Sequence, residues 1–134
     1  MAYSNLSAAQ KQARATALNT AIGANATIKI YTGQEPANPE TAPTGTLLAT
    51  LTCGSAGFGS ATAGVITAAA ITQANAVASG TAGYARISTS GSTAIMDVDV
   101  GTSGASVIMN TTAIVSGGPV QITSLTISEV AYSA

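Results

Sequence analysis

The sequence predicts an all-β protein, an antiparallel β-sandwich or a jelly-roll-like barrel, preceded by one N-terminal α-helix. Short segments alternate apolar and polar residues, and turns rich in Gly, Ser or Pro separate them at intervals of roughly 8–12 residues. Helical patterns do not recur between these segments, which argues against a parallel α/β sheet. We therefore divide the chain into a helical arm, residues 1–25, and a β-sandwich domain, residues 26–134.

The helix is expected over residues 4–22, where small apolar residues recur at steps of three and four. The stripe consists of Leu6, Ala9, Ala13, Ala17 and Ala21, flanked by Leu18 and Ile22. Ser7 and Gln10 have capping-box spacing, and Gly23 is placed to end the helix. Because alanine gains little from burial, two alternatives stand side by side: the helix packs across its own sheet, or it docks closely between subunits.

The first two strands are expected at residues 27–32 and 46–53, where apolar residues fall on alternate positions. Residues 33–46 between them contain three of the four prolines and must form a loop, because proline cannot donate to a β-ladder. Residues 54–64 form a connection rich in Gly and Ser, in which Phe58 is expected to fold back onto the core.

Five later segments are also expected as strands: residues 65–72, 81–89, 92–100, 105–112 and 120–133. The "SGS" at 90–92 suits a tight hairpin, and "SGGP" at 116–119 suits a turn. In the last segment the apolar phase shifts between Ile122 and Leu125, which predicts a β-bulge near Thr123 and Ser124.

Charge is scarce in this chain, and its scarcity bears on function. Only 7 % of residues are charged and the net charge is −1, whereas an average domain is about 25 % charged. Charge keeps free proteins apart, so this composition favours a subunit of an assembly or a protein that lives outside the cell. Four basic residues and a pI near 4.9 give no electrostatic footprint for nucleic acid, and we expect no nucleic-acid partner.

Membrane insertion and export are not expected either. No apolar run reaches the roughly 18 residues that a spanning helix needs. The N-terminal residues lack the basic start and apolar block of a signal peptide, so we expect synthesis in the cytoplasm without standard secretion.

Asp97 and Asp99 are the strongest candidates for chemistry. Residues two apart on a strand share a face, with Cα atoms about 6.5 Å apart. We interpret the pair as solvated aspartates on the outer face of a strand, with a calcium site as the alternative. Calcium would need several further oxygen ligands, and a catalytic pair normally comes from different strands.

The remaining candidates point away from catalysis. The chain has no histidine to activate a serine or the single Cys53, which we interpret as a small buried hydrophobe. Residues 101–106 join strand to strand and are interpreted as a glycine turn, not a phosphate loop. Arg86 is the only charge in its strand and is expected to pair with Asp97, Asp99 or Glu129. We expect no enzyme activity, catalytic residue or cofactor.

Four segments carry a resemblance: "IYTGQEPANPETAPTGTLLATLT" (30–52), "GTAGYARI" (80–87), "DVDVGTSGASVIMNTTAIVSGG" (97–118) and "VQITSLTIS" (120–128). In their pattern and order, over roughly residues 28–128, the chain resembles a family of small virion proteins of tailed bacteriophages. It departs from that pattern at Val98, where glycine is common, and at Tyr84 and Ala85, where an aromatic pair is common.

The resemblance implies a capsid decoration, or cement, protein with a β-sandwich body, located on the virion surface and assembled in the host cytoplasm. Its partners would be the major capsid protein and further copies of itself. The candidate contact residues are Leu6, Ala13 and Ala17 on the helix, Pro36 and Pro39 in the loop, and Arg86. The alternatives are a tail, collar or fibre subunit and, from another class, a host-surface or carbohydrate-binding module.

Overall fold

The structure is a computed structural model that describes residues 8–38, 41–53, 65–67 and 71–128. These residues form one helix and eleven strands, with the following bounds: α1 Ala8–Ile22, β1 Thr27–Thr32, β2 Leu47–Cys53, β3 Val65–Thr67, β4 Ile71–Thr72, β5 Ala74–Asn75, β6 Gly80–Ser88, β7 Ala94–Gly101, β8 Val107–Met109, β9 Ala113–Ile114, β10 Pro119–Val120 and β11 Ile122–Ser128. Nine strands form one sheet in the order β3-β11-β8-β7-β6-β1-β2-β4, with β9 also paired to β6. The other two, β5 and β10, pair with each other.

The large sheet is nearly closed into a barrel. Its two end strands, β3 and β4, are separated in the chain by residues 68–70 alone. From Thr67 to Ile71 the chain takes four Cα-to-Cα steps, which span at most about 14 Å, so the sheet must curl until its ends approach each other. The predicted class, all-β with a preceding helix, is confirmed as this barrel-like sheet.

Alternation along the central strands builds the core, as the sequence predicts. Ile28 and Ile30 of β1 are fully buried, and the register places Ile28 between Leu51 of β2 and Ile87 of β6. Ile30 faces Ala85 of β6, which is also fully buried. The inner face is therefore lined by aliphatic side chains from three adjacent strands.

The packed face of α1 differs from the predicted stripe. Ala13, Ala17 and Ala21 are exposed, whereas Ile22 is 1 % exposed and Leu18 packs against the core. Burial favours the larger aliphatic side chains because the gain grows with the apolar area removed from water. The helix contacts β3, so its last turns pack within the chain.

The end of α1 follows the prediction. Gly23 has φ +73°, and its N–H donates to the carbonyl of Asn19 at 3.1 Å, which is the left-handed cap of a helix C-terminus. Ser7, Leu6 and Phe58 lie outside the described residues.

Two local predictions in the sheet are confirmed. Residues 89–93 close the β6–β7 hairpin through hydrogen bonds between Thr89 and Thr93, and Ser92 takes a positive φ of 72°. In β11 the register against β8 shifts between Ile122 and Ser124, where the bulge is expected.

Two strand pairings differ from expectation. The segment 65–72 does not form one strand, because β3 pairs with β11 whereas β4 pairs with β2. The β7–β8 pair is parallel. Their ladder covers only Val100 and Gly101 against Val107 and Ile108. The turn between the two strands therefore has to carry the chain only from Gly101 to the position beside Val100.

Candidate functional site

One face of strands β1, β6 and β7 gathers polar and aromatic side chains, and we call it the outer face. The register pairs Tyr31 with Tyr84, Arg86 with Asp97, and Tyr84 with Asp99. Since side chains alternate along each strand, all five lie opposite the aliphatic core. The sequence predicts this face for each strand separately, and the pairing brings the residues together.

Arg86 and Asp97 form an ion pair with two hydrogen bonds on this face. Nε of Arg86 lies 2.7 Å from Oδ1 of Asp97, and Nη2 donates to Oδ2 at 3.0 Å. Both side chains are buried, with 6 % and 5 % of their surfaces exposed. The hydrogen bond to Asp97 raises the pKa of Arg86 above its already high value. Of the three partners expected for Arg86, the structure therefore selects Asp97.

The interpretation of both aspartates as solvated is wrong for Asp97 and right for Asp99. Arg86 occupies both carboxylate oxygens of Asp97, whereas Asp99 is exposed and accepts a hydrogen bond from Ser106 N–H at 3.0 Å. Asp97 would have to break its hydrogen bonds to Arg86 in order to bind a cation. The calcium site stays a prediction. Among the described residues, no group of three or more His, Cys, Asp or Glu is arranged to hold a metal ion.

Tyr31 and Tyr84 stack beside the ion pair. Their ring centroids are 5.2 Å apart with an interplanar angle of 14°. The hydroxyl of Tyr84 donates to the carbonyl of Thr44 at 2.9 Å. Burial, and then the neighbouring Tyr84, raise the pKa of Tyr31. Both rings are almost fully covered, at 8 % and 1 % exposure, so neither offers an open stacking surface.

The cover over these residues is the loop between β1 and β2. The remaining guanidinium nitrogen of Arg86, Nη1, donates to the carbonyl of Thr41 at 2.8 Å. Two hydrogen bonds between Thr32 and Thr46 close the base of the loop. The N–H of Thr32 donates to the carbonyl of Thr46 at 3.1 Å, and the N–H of Thr46 donates to the hydroxyl of Thr32 at 2.9 Å. The loop therefore lies on the outer face, and Tyr84 to Ser88 of β6 are buried in succession.

Glycine is required where the loop meets the sheet. A Cβ on Gly83 would collide with the carbonyl oxygen of Gly33. Gly45 has φ +83°, and a Cβ there would collide with the carbonyl oxygen of Thr32. Both contacts are with backbone atoms, so the two backbone segments approach this closely only because glycine has no side chain.

A cleft of about 410 Å³ opens beside the loop. Its lining residues are Gly33, Gln34, Glu35, Pro36, Gly83, Tyr84 and Asp99. Two carboxylates, Glu35 and Asp99, contribute negative charge to the cleft, and neither has an ion pair within the part of the chain that the structure describes. Of the predicted contact residues that the structure describes, Pro36 alone lines this cleft.

Within the described residues, the other candidates do not line this cleft. Ala13 and Ala17 are exposed on α1, and Leu6 and Pro39 lie outside the described residues, as does Glu129. Cys53 is buried as expected, and burial raises the pKa of its thiol to about 11, so the thiolate is disfavoured.

Sequence reasoning missed the role of Thr41 and Thr44, because backbone carbonyls carry no side-chain signal. It also missed Val77 and Val115, which are 67 % and 68 % exposed. These two valines lie on neighbouring turns, since Gly117 N–H donates to the carbonyl of Ala76 at 2.8 Å.

Comparison with protein-family models, with curated proteins and with solved structures finds no match to this chain. Within the described residues, no helix has both the length and the apolar character needed to cross a membrane.

Proposed function

We propose that the chain is a structural virion protein of a tailed bacteriophage, a capsid decoration protein that binds across neighbouring major capsid subunits and stabilises the head. The observation that carries the proposal is the scarcity of surface charge. The chain has four basic and five acidic residues, and two of these nine, Arg86 and Asp97, are buried in an ion pair. A surface this neutral suits a protein whose working state is association.

Exposed apolar positions also support the proposal. Val77 and Val115 are among the large hydrophobic side chains, yet two thirds of each is exposed. They lie on turns that a backbone hydrogen bond from Gly117 to Ala76 joins, and α1 exposes Ala13 and Ala17. A capsid lattice would cover such positions and stabilise the bound form by mass action.

The resemblance of residues 28–128 to small phage virion proteins supports a place on the head in this proposal. A tail, collar or fibre subunit is the alternative that the same surface properties allow. A carbohydrate-binding module is less well supported, because the described tyrosines Tyr31 and Tyr84 are stacked under the loop and offer no platform.

The test is co-sedimentation of the purified protein with expanded empty heads, with isolated tails and with glycan-coated beads. We expect saturable binding to heads alone. Quantitative mass spectrometry of virions should then count the copies. A lattice position requires on the order of hundreds, whereas about six or twelve would indicate a vertex, collar or baseplate part. Retention on tails alone, or on glycans alone, contradicts the decoration role.

Two surface variants sharpen this test. Val77→Asp and Ala17→Glu each place a charge on one of the two exposed surfaces. We expect the variant at the true contact to lose head binding while its melting temperature stays unchanged. Gln121→Glu, which adds the same charge at another exposed position, is the matched control. If all three variants bind as the unmodified protein does, neither surface makes the contact.

A further inference from the structure

Residues 41–46, which we call the strap, are the returning part of the loop between β1 and β2. We propose that the Arg86–Asp97 pair is a tether that sets the conformation of the strap over the stacked tyrosines, and that the pair adds little to the stability of the barrel. The pair thus acts as a conformational device, and Arg86 is a positioning residue.

Two side chains of β6 join the strap to the sheet. Within the loop, the Thr44 hydroxyl also donates to the carbonyl of Gln34 at 2.9 Å and the Thr41 N–H donates to Oδ1 of Asn38 at 3.0 Å. Nη1 of Arg86 donates to the carbonyl of Thr41 at 2.8 Å, and the hydroxyl of Tyr84 donates to the carbonyl of Thr44 at 2.9 Å. Arg86 and Tyr84 are two residues apart on β6, so their side chains emerge on the same face. Both acceptors are backbone carbonyls, so the tether acts on the path of the strap and not on its side chains.

Asp97 gives this tether its direction. Nε and Nη2 of Arg86 bind the two oxygens of Asp97, which fixes the plane of the guanidinium group. Within that plane Nη1 reaches the carbonyl of Thr41. A lysine at this position would keep the charge pair but has no rigid fork with which to hold both acceptors. The arrangement therefore needs arginine specifically.

The pair is poorly suited to stabilising the barrel. Both charged groups are more than nine-tenths buried, and desolvation of two charges offsets most of their attraction. They also lie on the outer face, away from the aliphatic core that Ile28, Ile30 and Ile87 build. A buried ion pair can instead favour one conformation over others, and this role fits the arrangement here.

A tethered strap would have a consequence for binding, which rests on the proposed function. Residues 41–46 are all exposed and uncharged. Held in one conformation beforehand, such a segment loses less entropy when a partner surface covers it.

The central variants are Arg86→Lys, which keeps the charge, and Arg86→Met combined with Asp97→Leu, which replaces the pair with apolar side chains. Arg14→Lys on the exposed face of α1 is the matched control. All are made with Tyr3→Phe and Tyr132→Phe, so that the ultraviolet titration reports Tyr31 and Tyr84 only.

Three quantities are measured on each folded variant. The amide of Thr41 reports the tethered part of the strap, and the amide of Thr46 is the internal reference because Thr32 holds it at the base. We expect hydrogen exchange at Thr41 to accelerate about tenfold or more in both central variants, while exchange at Thr46 changes less. The melting temperature should shift by less than about 5 °C. In Arg86→Lys, which keeps the charge, the ultraviolet titration should shift to lower pH, since burial is the main cause of the raised pKa of Tyr31.

Unchanged exchange at Thr41 in Arg86→Lys overturns the proposal. So does a double variant that fails to fold or melts far below the unmodified protein, because the pair would then stabilise the barrel. None of these measurements uses phage heads, so their outcome is independent of the proposed function. Head binding is compared afterwards: if the unmodified protein binds heads and Arg86→Lys binds equally well, the strap is not part of the contact.

Discussion

The Nε atom of Arg86 lies 2.7 Å from Oδ1 of Asp97, across the β6–β7 ladder where the two residues are paired by register. The chain has only nine charged residues, and two of them are buried in this pair. Arg86 also holds the carbonyl of Thr41, so the same guanidinium group joins two strands and a loop.

Reversing the charge of Arg86 should destabilise the fold strongly. In Arg86→Glu a buried carboxylate would face Asp97 without a cation, and removal of one partner of a buried pair costs about 3–5 kcal/mol. Urea denaturation measures the loss in the free energy of unfolding. Gln121→Glu introduces the same side chain at an exposed position and should cost less than about 0.5 kcal/mol. Equal stability of the two variants would contradict the burial of Arg86 and Asp97.

Gly83→Ala should displace the loop from the sheet. The new Cβ would collide with the backbone carbonyl of Gly33, which cannot move aside as a flexible side chain can. We expect a loss of about 1–3 kcal/mol, typical of overpacked sites, measured by thermal denaturation. Gly91→Ala is the control, because the nearest atom to its Cβ is 3.8 Å away. A Gly83→Ala protein as stable as Gly91→Ala would mean that the loop base is not tightly packed.

Deletion of Thr123 should be tolerated, whereas deletion of Thr126 should not. Thr123 is the extra residue of the bulge, and without it Ile122, Leu125 and Ile127 fall on alternate positions and stay on the buried face. Removing Thr126 instead turns Ile127 toward the other face, because a slip of one residue reverses every side chain beyond it. Circular dichroism during heating should reveal cooperative unfolding for the first deletion only. Cooperative unfolding of both would show that register in β11 is weakly specified.

Stability should fall as the pH rises from about 9 to 11, in part because of Cys53. Burial raises the pKa of the folded thiol to about 11 from 9.0, so the unfolded chain releases its proton first. Above pH 9 the unfolded state therefore binds fewer protons, and the free energy of unfolding decreases by on the order of 2 kcal/mol across this range.

Cys53→Ala isolates the contribution of the thiol. Tyr31 also has a raised pKa and acts in the same direction, but it is present in both proteins. Urea denaturation at pH 8 and pH 10.5 should give a smaller decrease for Cys53→Ala than for the unmodified protein. Identical decreases would assign the alkaline loss to other groups.

Ile22→Ala should reveal how α1 is attached. Ile22 is 1 % exposed in the core cluster, and truncation of a buried isoleucine costs about 2–5 kcal/mol. Ala21→Ser, at the exposed neighbouring position, should cost well under that amount. Both are compared by urea denaturation. If the two changes cost the same, the helix is not anchored through its last turn.

Local features of the fold were predictable because they depend on neighbouring residues. The β6–β7 hairpin follows from Gly91 and its flanking serines, and the bulge follows from the phase shift between Ile122 and Leu125. The two faces of β1, β6 and β7 follow from the period of two that a strand imposes on its side chains.

The partner of Arg86 was only partly predictable. Alternation places Arg86, Asp97 and Asp99 on outer faces, but each strand could slide against its neighbour by two residues and keep those faces. The register that pairs Arg86 with Asp97 depends on how the whole sheet closes, and so does the covering of the tyrosines by the strap.

The sequence by itself determined the strand class, the turns, the bulge and the end of the helix at Gly23, because each is set by periodicity or backbone preference over a few residues. Only the tertiary structure decided that α1 packs through Leu18 and Ile22, that β3 and β4 lie at opposite ends of the sheet order, and that one buried ion pair holds the strap. These features join residues far apart in the chain, and the free energy that selects them comes from packing the sheet as a whole.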